Sequence, residues 1–262
     1  MKLFLLIQIV FLLTHCVSLS SPEPDSIEFA EGRQINYYKM SDKRNQKFLQ
    51  EITGIQDKHQ SFISSFSLRI DRVHPNKENF NADGKIWFLK ETGQVKIQLM
   101  DNFFGMIFSE VLATPNQIQV KTAKENKIFT QPMDDLSIMD PSKGKAITIP
   151  FPVIYYAITG AFIEEFQANP SFFSPEERRT LVKKNGDEFD YFFEEGRLQS
   201  IEWTSTRKGM KAISKAEGKI SIPPEFLATK IVELGSDKET VFIQTKLRSI
   251  QRVNPSQSVF KL

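Results

Sequence analysis

The feature that most constrains this chain is a succession of short runs in which apolar and polar residues alternate, each closed by a turn signal. FISSFSLRIDRV, Phe62 to Val73, sets Phe62, Ser64, Phe66, Leu68 and Ile70 against Ile63, Ser65, Ser67, Arg69 and Asp71. That period of two gives a strand one buried face. GKIWFLK and QVKIQLM follow across Glu91-Thr92-Gly93, and then FFGMIFSEVLA, NQIQVKT and NKIFTQ are divided by Thr114-Pro115-Asn116 and Lys124-Glu125-Asn126. Strands joined by loops this short pair antiparallel, because a parallel partner needs a long crossover. The pattern predicts an antiparallel meander.

One member of the series breaks the alternation. FFGMIF, Phe103 to Phe108, is apolar at every position except Gly105, so it reads as a strand with two apolar faces, bent or bulged at its glycine. Upstream, SDKRNQKFLQEITGI from Ser41 to Ile55 has a serine suited to an N-cap and places Phe48, Leu49 and Ile52 on one face, predicting an amphipathic helix that ends at Gly54. Downstream, IPFPVIYYAITGAFIEEFQ follows two prolines with Val153, Ile154, Ala157, Ile158, Ala161, Phe162 and Phe166 at helical spacing. Its apolarity suits either ordinary core or a lid over a ligand. Strand-like runs then resume, from RTLVKKNG through DEFDYFFEEG and RLQSIEWTSTR to TVFIQTKLRSIQRV. No linker-like composition divides the middle, so residues 41–262 are expected to form a single α+β domain. An antiparallel sheet of about eleven strands does not stay flat, and here it has helices to curve around.

MKLFLLIQIVFLLTHCVSLSS has a lysine, an apolar run from Leu3 to Leu13 and then small polar residues, the plan of an export signal over residues 1–20. The apolar run is short for a membrane span. Cys16, the single cysteine, stands where a bacterial lipoprotein signal carries its acylated cysteine; the alternative is a signal cut after Ser18 or Ser20. Either way no disulfide is available to the mature body. Residues 21–40, beginning SPEPDSIEFAE, read as an acidic, proline-bearing linker.

A formal charge of +2 without a basic stripe argues against nucleic acid as a partner. His15, His59 and His74 are too scattered for a metal site, and no HExxH, CxxC, GxSxG, P-loop or dinucleotide-glycine pattern occurs. Asp134-Asp135 with Asp140 between prolines, and Asp187, Glu188 and Asp190, lack calcium-loop spacing and read as solvated turns. No cofactor is called for, and the chain reads as a non-enzyme. What exceeds ordinary patterning is apolar surface: 23 Phe against 2 Trp and 5 Tyr, FDYFF at Phe189 to Phe193, and methionines at 100, 106, 133 and 139.

The export signal, the N-terminal helix, FISSFSLRI, the hairpin GKIWFLKETGQVKIQL, the apolar helix and the late NGDEFDYFF hairpin together resemble the bacterial lipoprotein carriers of the LolA and LolB type. The resemblance spans nearly the whole mature chain and implies an unclosed half-barrel with helices on its concave face as a lid. It further implies a monomer in the periplasm of a two-membrane bacterium, soluble or tethered to the outer membrane through Cys16. Such a protein would hold lipoprotein acyl chains or phospholipid, touch a membrane only by transient docking or that anchor, and pass its cargo to an envelope protein partner. The ligand contacts expected from the apolar patterning of such a cup are Val95, Ile97 and Leu99 on the inward face, then Phe103, Phe104, Met106 and Phe108, and Ile154, Tyr155 and Ile158 from the lid. Lys90 takes the place of the family's lid-latching arginine, without its planar fork. The closing VNPSQSVFKL resembles a terminal segment whose Phe-containing strand completes the sheet. The other function compatible with this fold is a sensor or protein-interaction module with a packed interior.

Overall fold

A computed structural model describes residues 27–29, 34–73, 77–123, 127–140, 145–218, 223–235 and 239–262. The expected signal, Cys16, His15 and His74 lie outside them. The first half contributes β1 (Tyr38–Lys39), α1 (Gln46–Asp57), β2 (Phe62–Arg72), β3 (Glu78–Leu89), β4 (Gln94–Met100), β5 (Ile107–Ala113), β6 (Gln117–Thr122) and β7 (Ile128–Pro132). A hairpin, β8 (Asp135–Asp140) and β9 (Lys145–Pro150), leads into α2 (Phe151–Thr159) and α3 (Ile163–Ala168). The second half adds β10 (Ser171–Ser174), β11 (Arg179–Lys184), β12 (Asp187–Glu194), β13 (Arg197–Ser205), β14 (Met210–Glu217), β15 (Phe226–Glu233) and β16 (Glu239–Gln251).

Fourteen of these strands form one antiparallel sheet in the order β1-β10-β11-β12-β13-β14-β15-β16-β2-β3-β4-β5-β6-β7. The sheet is strongly curved and unclosed, as expected, with β1 and β7 as its two edges. Its centre is a long-range pairing: β16 lies against β2 from Val241↔Arg72 to Gln251↔Ile63 and welds the two meanders into one sheet. The strand count exceeds the eleven or so read from the sequence because β1 has two residues and β10 four, too few to display a period. The β8–β9 ribbon came from a stretch whose aspartates and prolines read as a loop.

Alternation does its expected work in β2, where Phe62, Ser64, Phe66, Leu68 and Ile70 are buried and their neighbours are not. Gly84 in β3 is a necessity of close approach: a Cβ there would sit 2.3 Å from Phe66 Cζ and 2.5 Å from the Gln98 carbonyl oxygen. The first helix starts later than Ser41 and continues through Gly54. Asp42 caps a 3-10 turn by accepting from Arg44 N at 3.0 Å, and Phe48, Ile52 and Ile55 form the buried stripe of α1. Every residue of α2 is buried, and Gly160 ends it in the left-handed conformation at φ 64°.

The cup is filled unevenly. Opposite β11 to β13, Phe162, Phe166, Tyr191 and Phe193 pack ring on ring, with centroids 5.0 to 6.1 Å apart. Towards β2 to β5 aliphatic side chains predominate, with Phe66 and Phe151 among them.

Ile27, Tyr37 and the segment after β16 all pack on the outer face. Within the stretch read as linker, Ile27 is buried on Ile213, Ala228 and Phe242, and the Tyr37 hydroxyl donates to Asp190 at 3.1 Å beside the Arg179 ion pairs with Asp190 and Glu202. The C-terminal segment does not complete the sheet as a strand. It forms a 3-10 turn at Gln257–Val259, capped by Ser256, and buries Phe260 on Leu89 and Leu112, while Lys96 donates to the Lys261 carbonyl at 2.6 Å.

Candidate functional site

Between the aliphatic part of the sheet and α2 lies a cavity of about 50 Å³. Phe66, Leu68, Ile86, Ile97, Leu99 and Val111 from β2 to β5 form one wall, joined by Ile243 and Leu247 of β16. Leu136 and Ile149 of the β8–β9 ribbon with Phe151, Ile154 and Ile158 of α2 close the other side. Thr245 supplies the one polar side chain in this lining. With a single hydroxyl in the lining, the site offers apolar shape far more than hydrogen bonds. The volume falls well short of the roughly 300 Å³ or more of ligand pockets. The cup as it stands is therefore nearly filled, and room for anything larger would require α2 or the ribbon to move.

Two contacts hold the helices, one fixing α2 and the other joining α1 to α3. The Tyr155 hydroxyl donates to the Gly93 carbonyl in the β3–β4 turn at 2.6 Å, tying α2 to the sheet. Burial, reinforced by Glu164 and Glu165, pushes its phenol above the ordinary tyrosine range, so it is a firm donor. Gln56 ties the helices to each other: its Nε2 donates to Glu164 at 2.9 Å and its Oε1 accepts from Ile163 N at 2.9 Å. Lys90, expected as the lid latch, reaches α1 and not α2. Its ammonium donates to the carbonyls of Gln56 and Asp57 at 3.3 and 3.4 Å, at the C-terminal end of α1 where a cation is favoured.

Of the sequence-derived contacts, Ile97, Leu99, Ile154 and Ile158 line the cavity. Val95 is buried in the adjoining core, and Tyr155 is the latch rather than the wall. Phe108, set at the bulge where β5 shifts register against β4, packs edge-on to Phe80 at 5.9 Å. Phe103, Phe104 and Met106 are corrections. They are not in a strand and do not face the cup, but occupy the β4–β5 turn at 92, 83 and 63 % exposure. The Asp101 carboxylate organises this turn by accepting from Phe103 N at 3.0 Å, Phe104 N at 2.6 Å and Met106 N at 2.7 Å. These N–H groups, Phe104's above all, hold the carboxyl below its usual range. Gly105 at φ 67° donates to the Asp101 carbonyl and completes the loop. An apolar run looks the same in a sequence whether it is buried or displayed; the discriminating signal was Asp101 at the start with Gly105 four residues on.

Among the wall residues missed were Phe66 and Leu68, visible in the alternation of β2, and Ile243 and Leu247, whose place depends on the remote β16–β2 pairing. Among the described residues no three His, Cys, Asp or Glu side chains gather as a metal site would require. No described helix is long and apolar enough to cross a membrane.

No family model matches the sequence, and no curated protein matches it. Solved structures do match in fold. A DUF1329 family protein from Desulfovibrio piger superposes with a TM-score of 0.50 at 10 % identity, over 82 % of this chain and 96 % of that one. A LolA superfamily protein from Nitrosomonas europaea gives 0.48 at 8 % identity over 83 % and 97 % of the two chains. An outer membrane lipoprotein-sorting protein domain from Vibrio parahaemolyticus gives 0.48 at 10 % identity over 82 % and 95 %. At such identities the likeness is one of fold alone, and the fold is the curved, unclosed, lidded sheet described above.

Proposed function

We propose that this chain is an exported, non-enzymatic binding protein that takes an acyl chain of a lipoprotein or phospholipid between its sheet and the α2 lid, for lipoprotein traffic towards an outer membrane. The observation that carries this reading is the cavity wall, aliphatic or aromatic at every position but Thr245 and bounded on one side by separable elements. Burying a chain there retains about 0.8 kcal/mol per CH2, so passage between two such cavities requires no energy source in this protein. The β4–β5 turn supplies a means of delivery: its exposed Phe103, Phe104 and Met106 can enter a bilayer interface because four of its backbone N–H groups are already bonded to Asp101. Docking at the turn brings the cup to the lipid surface, and the periplasm, as a soluble or Cys16-tethered protein, is the compartment this reading requires.

The test is native mass spectrometry of the purified protein with and without a bound acyl species, paired with displacement of a fluorescent fatty acid. Retained acyl mass, lost in Ile154→Glu, supports the reading. A wild-type protein that takes up no acyl probe at all refutes it. The near-filled interior favours one second reading, a protein-interaction module that uses the apolar turn on an envelope partner; capture of a single protein partner by a chain that binds no lipid would select it.

A further inference from the structure

The end of α1, the β3–β4 turn and the chain beyond β16 converge on an open cleft of about 400 Å³, separate from the apolar cavity. Lys90, Ser61 and Arg252 line it together with the amides of Gln60 and Asn254, and Glu91 is the one carboxylate among the lining residues. Lys90 is fixed in position, since its backbone N–H donates to Ser61 Oγ at 3.0 Å while its ammonium caps α1. Ser61 thereby accepts one bond and keeps its own hydroxyl proton to donate. Arg252 arrives because β16 bulges between Arg248 and Gln251, with Ser249 at φ 51°. No described residue hydrogen-bonds or ion-pairs with its guanidinium. Under the cleft His59 is 3 % exposed, its ring tilted on Phe88 at 5.1 Å and its Nε2 without a partner.

We infer that this cleft is an anion site, in which Arg252 and Lys90 hold a phosphate group with Ser61, Gln60 and Asn254 as neutral donors. The planar fork of an otherwise unengaged arginine matches two phosphate oxygens, and an anchored ammonium supplies the opposing charge. One carboxylate against two cations leaves the cleft positive, and Glu91 is exposed and able to turn away. A phosphate could come from a lipid headgroup or from solution. The first source rests on the acyl-chain reading; the site itself does not.

The experiment is a magnetic-resonance titration of the full chain, following the His59 ring and the Arg252 side chain. Inorganic phosphate, a short-chain phosphatidic acid and the matching diacylglycerol are added in turn. Saturable shifts with the first two and none with the third support the site, as does an affinity about tenfold weaker in Arg252→Gln at unchanged melting temperature. Tighter binding of phosphatidic acid than of phosphate identifies a lipid headgroup as the occupant. Equal binding identifies soluble phosphate and leaves the acyl-chain reading to its own test. Absence of saturable shifts with either phosphate compound, or undiminished binding by Arg252→Gln, overturns the proposal.

Discussion

Replacing Tyr155 with Phe removes the oxygen that latches α2 while keeping the ring that fills the core. The lost bond is short, 2.6 Å, and its donor residue is 1 % exposed. Gly93, the acceptor, is half-exposed and can recruit water, so the net loss is that of one hydrogen bond without a stranded carbonyl, about 1 kcal/mol. That is roughly a fivefold shift from closed towards open, and in a domain of this size it lowers the melting temperature by about 2–4 °C. If lid opening gates entry, uptake of an environment-sensitive fatty acid measured by stopped flow should quicken by roughly the same factor. Lys90→Gln provides the comparison: its contacts of 3.3 and 3.4 Å are exposed, so its effect should be smaller. A variant that melts earlier yet takes up probe at the wild-type rate would show that α2 is not the gate. A variant that does neither would show that the latch contributes nothing.

Other outcomes follow from particular residues. Gly84→Ala should cost about 1–3 kcal/mol in denaturant unfolding, because the added methyl meets both the Phe66 ring and the Gln98 carbonyl. Phe103→Ser with Phe104→Ser should leave the melting temperature unchanged and abolish co-sedimentation with anionic vesicles, since both rings are almost wholly outside the fold. His59 should make stability fall with acid. Burial, then Lys90 and Arg252, lower its pKa from 6.5 to about 3, so the unfolded chain takes up a proton that the folded chain refuses. The stabilisation is complete above about pH 6.5 and is lost as pH falls towards 3; His59→Asn should flatten that slope in denaturant melts.

Local chemistry made much of this architecture readable. The alternation in β2 and β4 placed Ile97 and Leu99 on the concave face, and the helical spacing from Val153 to Phe166 located the apolar cover, which Gly160 divides into α2 and α3. What stayed hidden was set by tertiary neighbours. Ile27 and Tyr37 look like linker residues until the outer faces of β14 to β16 and of β12 are present to receive them. The tyrosine latch could not be foreseen because its acceptor is a backbone carbonyl 62 residues away. The pair Asp101 and Gly105 was legible as a turn, and giving it precedence over hydrophobicity would have put the following phenylalanines outside.

The seam between β16 and β2 also sets a timetable. Ile243 and Leu247, two stones of the cavity wall, are made long after the β2 residues they pair with, and until they arrive β2 has a bare edge. The earlier strands can form hairpins as they emerge, but the chamber itself waits for contacts spanning about 180 residues, a slow closure by the logic of contact order. A chain interrupted before Thr240 would therefore carry most of its strands but an incomplete cavity wall, with the edge of β2 open to pair with a neighbouring copy.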